Sequence, residues 1–176
     1  NMINLAFLQK LRDLPGFWCP NLQNMGEITT IKRVYSPNLD VIDHPTRQII
    51  PHFTESEQSS LPFQEAFFVE INRGCPHFCK FCITGTQLKP FRNRSLKKLY
   101  EILDLGISQS DPKRIVLIGS SVTAHPRFSD LCQHLIQLNM PFSIPSVRID
   151  EISPEIAILL KQSGMKTITF APEAGS

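Results

Sequence analysis

A strong charge of either sign is missing from this 176-residue chain: Lys plus Arg number 18 and Asp plus Glu 16. Near-balanced charge gives no reason to expect a polyanion-binding surface, so nucleic acid is not indicated as a partner. Long apolar runs are missing too. The densest, Ile156 to Leu160, is five residues, against the roughly 20 needed to cross a membrane. No cationic segment followed by an apolar stretch opens the sequence, so no secretory signal is read. Internal repeats and long low-complexity tracts are absent as well. Cysteines number five, an odd count that argues against a disulfide framework and for a reducing compartment, the cytoplasm, with a metal site. What remains is globular: 41% of residues are hydrophobic and 19% charged, and the length allows a sizeable core.

Two regimes follow along the chain. Residues 1–60 form an irregular N-terminal segment or connector. Within it "INLAFLQKLRD" is a short helix candidate with Leu5, Leu8 and Leu11 on one face, "EITTIKRVY" looks extended, and "TESEQSS" reads as surface loop. Residues 61–176 are regular. "AFFVEIN", "RIVLIG", "FSIPSVRI" and "KTITFA" are strand candidates. Between them lie three helices. One is capped by Ser95 and carries Leu96, Leu99, Tyr100 and Leu103 at helical spacing. The next has Phe128, Leu131, Cys132, Leu135 and Ile136 on one stripe. The last is punctuated by Ser153, Pro154 and Gly164. Strands alternating with helices predict an α/β fold of βαβ units on a parallel sheet. Right-handed crossovers then place the loops after the strands on one rim, where such sheets build their sites.

The loop after the first strand, "EINRGCPHFCKFCITG", crowds Cys75, Cys79 and Cys82 into eight residues. Structural zinc takes four protein ligands, commonly as two separated pairs, and His77 lies inside the loop where closing a tetrahedron would strain it. Cys19 and Cys132 are far off in sequence, and Cys132 sits on an apolar helical stripe. A ferredoxin-type site would want a fourth cysteine. Three thiolates around an iron–sulfur cubane leave one iron open, and an open position implies chemistry. A non-catalytic iron–sulfur or zinc module is the alternative.

"CPHFCKFC" has the C-x3-C-x-aromatic-C form, and here the chain resembles the radical S-adenosylmethionine superfamily, with Phe81 at the aromatic position. The resemblance runs from about Ala66 to Ser176. It implies the first four strands of a partial (β/α) barrel. It also implies a [4Fe–4S] cluster on Cys75, Cys79 and Cys82, bound S-adenosylmethionine, an electron donor such as flavodoxin or ferredoxin, and reductive cleavage to a 5′-deoxyadenosyl radical. "KPFRNRSLKKL" and "LRDLPGFWCP" are most similar to the branch with a cobalamin-binding domain ahead of the barrel. No D-x-H-x-x-G motif is present, so cobalamin would belong to the full-length parent, upstream. On this resemblance the sequence is a piece of that parent, ends after the fourth strand, and is expected to be inactive alone.

The same resemblance extends to further positions, each with a plainer alternative. Gly119, Ser120 and Ser121 stand where the family commonly has G-G-E, which receives the methionine amino group; an ordinary strand-to-helix turn is the alternative. Ser146 and Arg148, two apart on the third strand, would point to one side and meet the ribose or carboxylate of the cofactor. Otherwise Arg148 pairs with Asp150 or Glu151. Glu173 in "APEAGS" matches a ribose-binding pattern, or merely favours a following helix N-terminus. Arg92 and Arg94 read as a solvated pair, and His125 as structural.

Overall fold

The computed structural model describes residues 5–19, 31–50, 63, 65–145 and 147–170. Two compact units are present, Asn1–Ser36 and Pro37–Ser176. The first holds helix α1, Leu5–Arg12. No α1 residue is fully buried, though Leu8 and Leu11 of the expected apolar face are half-covered. Cys19 is buried nearby, its thiol 3.6 Å from the Leu8 carbonyl.

In the second unit the elements are β1 (Ala66–Glu70), β2 (Asn72–Arg73), α2 (Thr84–Gln87), β3 (Arg92–Asn93), α3 (Leu96–Ser110), β4 (Arg114–Ile118), α4 (Phe128–Gln137), β5 (Phe142–Ser143) and α5 (Pro154–Gln162). A parallel sheet runs in the order β1-β4-β5, with Phe67 opposite Ile115 and Val116 opposite Ser143. The fold is thus mixed α/β with a parallel sheet, as in a partial β/α barrel.

Strand periodicity sorts the core. Phe67, Val69, Ile115 and Leu117 point to the helical side, where they pack with Leu99, Ile102 and Leu103 of α3, Leu131, Cys132 and Leu135 of α4, and Leu159 and Leu160 of α5. Val116 is fully buried yet lies outside that cluster, on the opposite face. Both faces of β4 are therefore covered, which accounts for its unbroken apolar run. The expected caps form: Ser95 Oγ accepts from the Lys98 amide and Ser153 Oγ from the Ile156 amide, each at 3.2 Å. Gly164 follows α5 in the left-handed region, φ +87°.

The outer edge of β1 is not left open. Gln48 uses its side-chain amide as a one-residue strand: its Oε1 accepts from Phe68 N at 3.0 Å and its Nε2 donates to Phe68 O at 2.8 Å. His44 Nε2 accepts from Glu70 N at 3.2 Å. Residues 37–50 thereby belong to the sheet's surroundings, while the boundary expected near residue 60 falls outside the described residues.

Two strand expectations are corrected. The third strand, read over Phe142–Ile149, is only Phe142–Ser143. Pro145 has no amide to donate, and the chain beyond Arg148 turns into a 3-10 helix, Ile149–Glu151. The fourth, "KTITFA", forms no ladder over its described residues 166–170. A cavity of about 560 Å³ is lined jointly by Ser143, Ile144 and Pro145 and by Lys166, Thr167 and Thr169 of this segment.

Candidate active site

The cysteine loop is pinned at its base. As β1 ends, Ile71 N donates to Ile118 O at 3.0 Å, and Arg94 N returns to Ile71 O at 2.9 Å. Between these anchors β2 pairs antiparallel with β3, Asn72 opposite Asn93 and Arg73 opposite Arg92. Residues 74–91 are thus an excursion closed by a two-residue ribbon. Cys75, Cys79 and Cys82 all lie in it, each half-exposed. A turn joins the last two, Cys82 N to Cys79 O at 3.0 Å. The donor set fits an iron–sulfur cluster in kind: three thiols, soft ligands, in one anchored loop. Among the described residues no three His, Cys, Asp or Glu side chains already converge into a metal cage.

The β4 loop, Gly119 to His125, stands at the same C-terminal rim. Asn72 donates its Nδ2 to the Ser121 carbonyl at 2.6 Å and is almost fully buried. Its Oδ1 has no hydrogen-bond partner among the described residues and lies against Gly119, where a Cβ would collide with it. Only glycine lets the strand end and the amide come this close.

Glu151 joins the two loops. His77 Nε2 lies 2.7 Å from its Oε1, Ser121 Oγ donates to it at 3.2 Å, and Thr123 Oγ1 is hydrogen-bonded to its Oε2. The carboxylate thus receives the cysteine loop on one side and the β4 loop on the other. Reasoning from sequence missed this role, having weighed Glu151 only as a partner for Arg148. The one available signal was its place just past a predicted strand end.

The other expected residues divide. Gly119, Ser120 and Ser121 do line the rim, with Ser121 buried. Phe81 is 69% exposed. Arg148 lies off the strand and takes the alternative partner, its Nη2 donating to Asp150 at 2.8 Å. That bond chiefly raises its pKa, and the nearby Glu151 and Cys79 add to the effect. Ser146 and Glu173 lie outside the described residues. Arg92 and Arg94 are not the solvated pair expected: they are 8% and 1% exposed. Arg92 donates to the Pro90 carbonyl at 2.9 Å. Arg94 is held by the Leu39 carbonyl, by Ile42 O at 2.9 Å and by Glu70 O at 3.1 Å. His125 is structural, its Nε2 2.8 Å from Arg94 O and its Nδ1 accepting from Arg127 N at 3.1 Å.

Comparison with known proteins shows the family to which the chain belongs. The profile described as the radical SAM superfamily matches residues 69–176, well over half of the chain, and takes in the whole cysteine loop. The chain belongs to that superfamily. It is similar to an uncharacterized protein of Methanocaldococcus jannaschii, 32% identical over 174 residues, or 99% of this chain and 36% of that protein. It is also similar to the tRNA-2-methylthio-N(6)-dimethylallyladenosine synthase of Rickettsia typhi, 28% identical over 56% of this chain and 25% of that enzyme. The anaerobic magnesium-protoporphyrin IX monomethyl ester cyclase of Rubrivivax gelatinosus is 26% identical over 59% of this chain and 20% of the cyclase. The chain therefore spans little more than a third, or less, of the length of these relatives. No helix among the described residues is long and apolar enough to cross a membrane.

Proposed function

We propose that this chain is the cofactor-loading part of a radical S-adenosylmethionine enzyme, with Cys75, Cys79 and Cys82 as the ligands of a [4Fe–4S] cluster. The observation that carries the reading is the set of three half-exposed thiols within eight residues, on a loop pinned to the C-terminal rim of a parallel sheet. Held by these three cysteines, such a cluster would supply the single electron that reductive cleavage of the sulfonium of S-adenosylmethionine requires, the C–S bond giving way to methionine and a 5′-deoxyadenosyl radical.

The chain's own residues do the binding and orienting. The β2–β3 ribbon fixes the base of the loop, and Cys75, Cys79 and Cys82 would be the residues that hold the iron. Gly119, Ser120 and Ser121 offer backbone carbonyls and hydroxyls to the methionine end of the cofactor. The exposed ring of Phe81, next to Cys82, offers an apolar face to its adenine. Arg148 carries positive charge towards the Cys79 side of the site and steadies an anionic cluster or the methionine carboxylate. Ser146 and Glu173 are assigned to the ribose. A cobalamin-binding domain, implied upstream by resemblance, would lie outside this sequence, and none of these residues bears on it.

The test is anaerobic reconstitution followed by iron analysis and EPR of the reduced protein. Cys75→Ala, Cys79→Ala and Cys82→Ala should each lose the iron–sulfur chromophore, and added S-adenosylmethionine should change the wild-type EPR signal. Cys132→Ala should keep its iron and lose about 1 kcal/mol of stability, as for a small buried group. A complete cluster in any of the three loop variants would refute the ligand assignment.

A further inference from the structure

The cavity beside β5 gathers polar groups that the cysteine loop and its neighbours do not use. It takes Arg114 from the start of β4, Ser143 from β5, and Lys166, Thr167 and Thr169 from the segment after α5. Ile168, between the two threonines, packs instead against the core. No carboxylate lines the cavity among the described residues. Arg114 is half-buried, and its Nε is shut off from solvent without an acceptor among the described residues. Ser143 is 9% exposed, and its hydroxyl is unmatched there in the same way. Neither Arg114 nor Lys166 meets an acidic side chain among the described residues, whereas the neighbouring Lys113 pairs with Glu65 at 2.7 Å. Buried donors without acceptors, beside two cations without counterions, call for an anion. The remaining wall is apolar, with Phe63, Ile144 and Met165.

We propose that this cavity binds a small phosphate monoester, its phosphoryl group held by Arg114 and Lys166 and its apolar body set against Phe63, Ile144 and Met165. A guanidinium and an ammonium together match the nearly two negative charges of such a group near pH 7. With the hydroxyls of Ser143, Thr167 and Thr169 they supply more donors than the two oxygens of a carboxylate accept, and three phosphoryl oxygens take them better. The volume of about 560 Å³ falls within the usual range for small-molecule sites, about 300–1,000 Å³. The site stands apart from the cysteine loop. Arg114 opens β4 and Ile118, whose carbonyl anchors that loop, ends it, roughly 13 Å along the strand. Among the described residues no ladder joins β5 to residues 166–170. A ligand bridging Arg114 and Ser143 to Lys166 and the threonines fastens that segment to the sheet. No covalent bond is made or broken, and nothing in the proposal depends on the cluster.

The experiment titrates the full-length protein, cluster-free and reconstituted, with phenyl phosphate, inorganic phosphate and benzoate in a calorimeter. Phenyl phosphate should bind both forms alike, with a Kd below about 1 mM. Inorganic phosphate lacks the apolar body and benzoate the third oxygen, so each should bind about tenfold more weakly. Lys166 is exposed and makes no internal polar contact among the described residues, so Lys166→Gln should fold normally. It should weaken phenyl phosphate about tenfold, and Arg114→Gln at least as much, with part of the loss recovered in Arg114→Lys. Saturating phenyl phosphate should slow hydrogen exchange at residues 165–169 and leave residues 74–91 unchanged. Wild-type affinity in Lys166→Gln would overturn the proposal, as would no saturable binding to the cluster-free protein. Inorganic phosphate or benzoate binding as tightly as phenyl phosphate would overturn the ligand class. Displacement of phenyl phosphate by S-adenosylmethionine would also overturn it, because the phosphate would then occupy the rim and not the cavity beside β5.

Discussion

A carboxylate that keeps 14% of its side chain exposed needs donors, and Glu151 finds them on two separate loops. His77 comes from the cysteine loop, and Ser121 and Thr123 come from the loop after β4. Replacing Glu151 with Ala leaves two buried hydroxyls and an imidazole without their acceptor. The expected cost is about 2 kcal/mol in urea denaturation. Because His77 sits two residues from both Cys75 and Cys79, the same variant should alkylate its loop thiols several-fold faster in the metal-free state. Glu151→Gln keeps an acceptor oxygen and should restore most of both properties. Cys132 behaves differently from the loop cysteines because burial pushes its thiol pKa up to about 12. It stays protonated and inert inside α4.

At the scale of elements, the strap at residues 37–50 is joined to the sheet by Gln48, by His44 and, most deeply buried, by Arg94. Arg94 is 1% exposed and binds carbonyls from Leu39, Ile42 and Glu70, while Asp40 Oδ1 accepts from Ser95 N at 2.9 Å beside it. A buried guanidinium is tolerable only when its donors are met in this way. Arg94→Met removes the charge and strands the carbonyls. It should destabilise the protein by about 3 kcal/mol. Hydrogen exchange should then show residues 37–50 opening before α3 or α4. Unchanged protection there would mean that Gln48 and His44 hold the strap unaided.

For the whole molecule, acid should act in two stages. His125 has a pKa below the ordinary 6.5, chiefly because burial disfavours its charged form, with the Arg127 charge assisting. His44 is lowered by burial first and then by the Arg94 charge. For both, the unfolded chain takes up protons before the folded one. Stability therefore falls as pH drops through 6.5 and stops falling below the folded-state values. Glu70 belongs to the second stage. Burial works to raise its pKa but is outweighed by the Arg73 hydrogen bond and by the charges of Arg73, Arg94 and His44, so it sits below 4.5. Its contribution is complete above that value and is lost as pH falls through the folded-state pKa. Urea midpoints measured from pH 8 to pH 3 should show both declines, with the first shallower in His125→Asn.

Local physics was enough for a good part of this. The helices α3, α4 and α5 could be read because apolar spacing and capping are properties of neighbouring residues: Ser95, Ser153, Pro154 and Gly164 act within a turn or two. The parallel arrangement followed from alternation, and the three-cysteine loop from a spacing of eight residues. The fates of Arg94, Glu151 and Gln48 were not legible, because their partners lie 55, 30 and 20 residues away and no local pattern records them. Strand lengths failed for a related reason. "FSIPSVRI" and "KTITFA" both have β propensity, but a strand exists only where a neighbour offers a ladder, and among the described residues none forms beyond β5. Sequence alone therefore determined that three thiols share one loop and that this loop follows the first strand of a parallel sheet. Tertiary structure decided which charges are buried, which carboxylate joins the loops and where the sheet stops, because burial and pairing depend on distances through space that spacing along the chain does not contain.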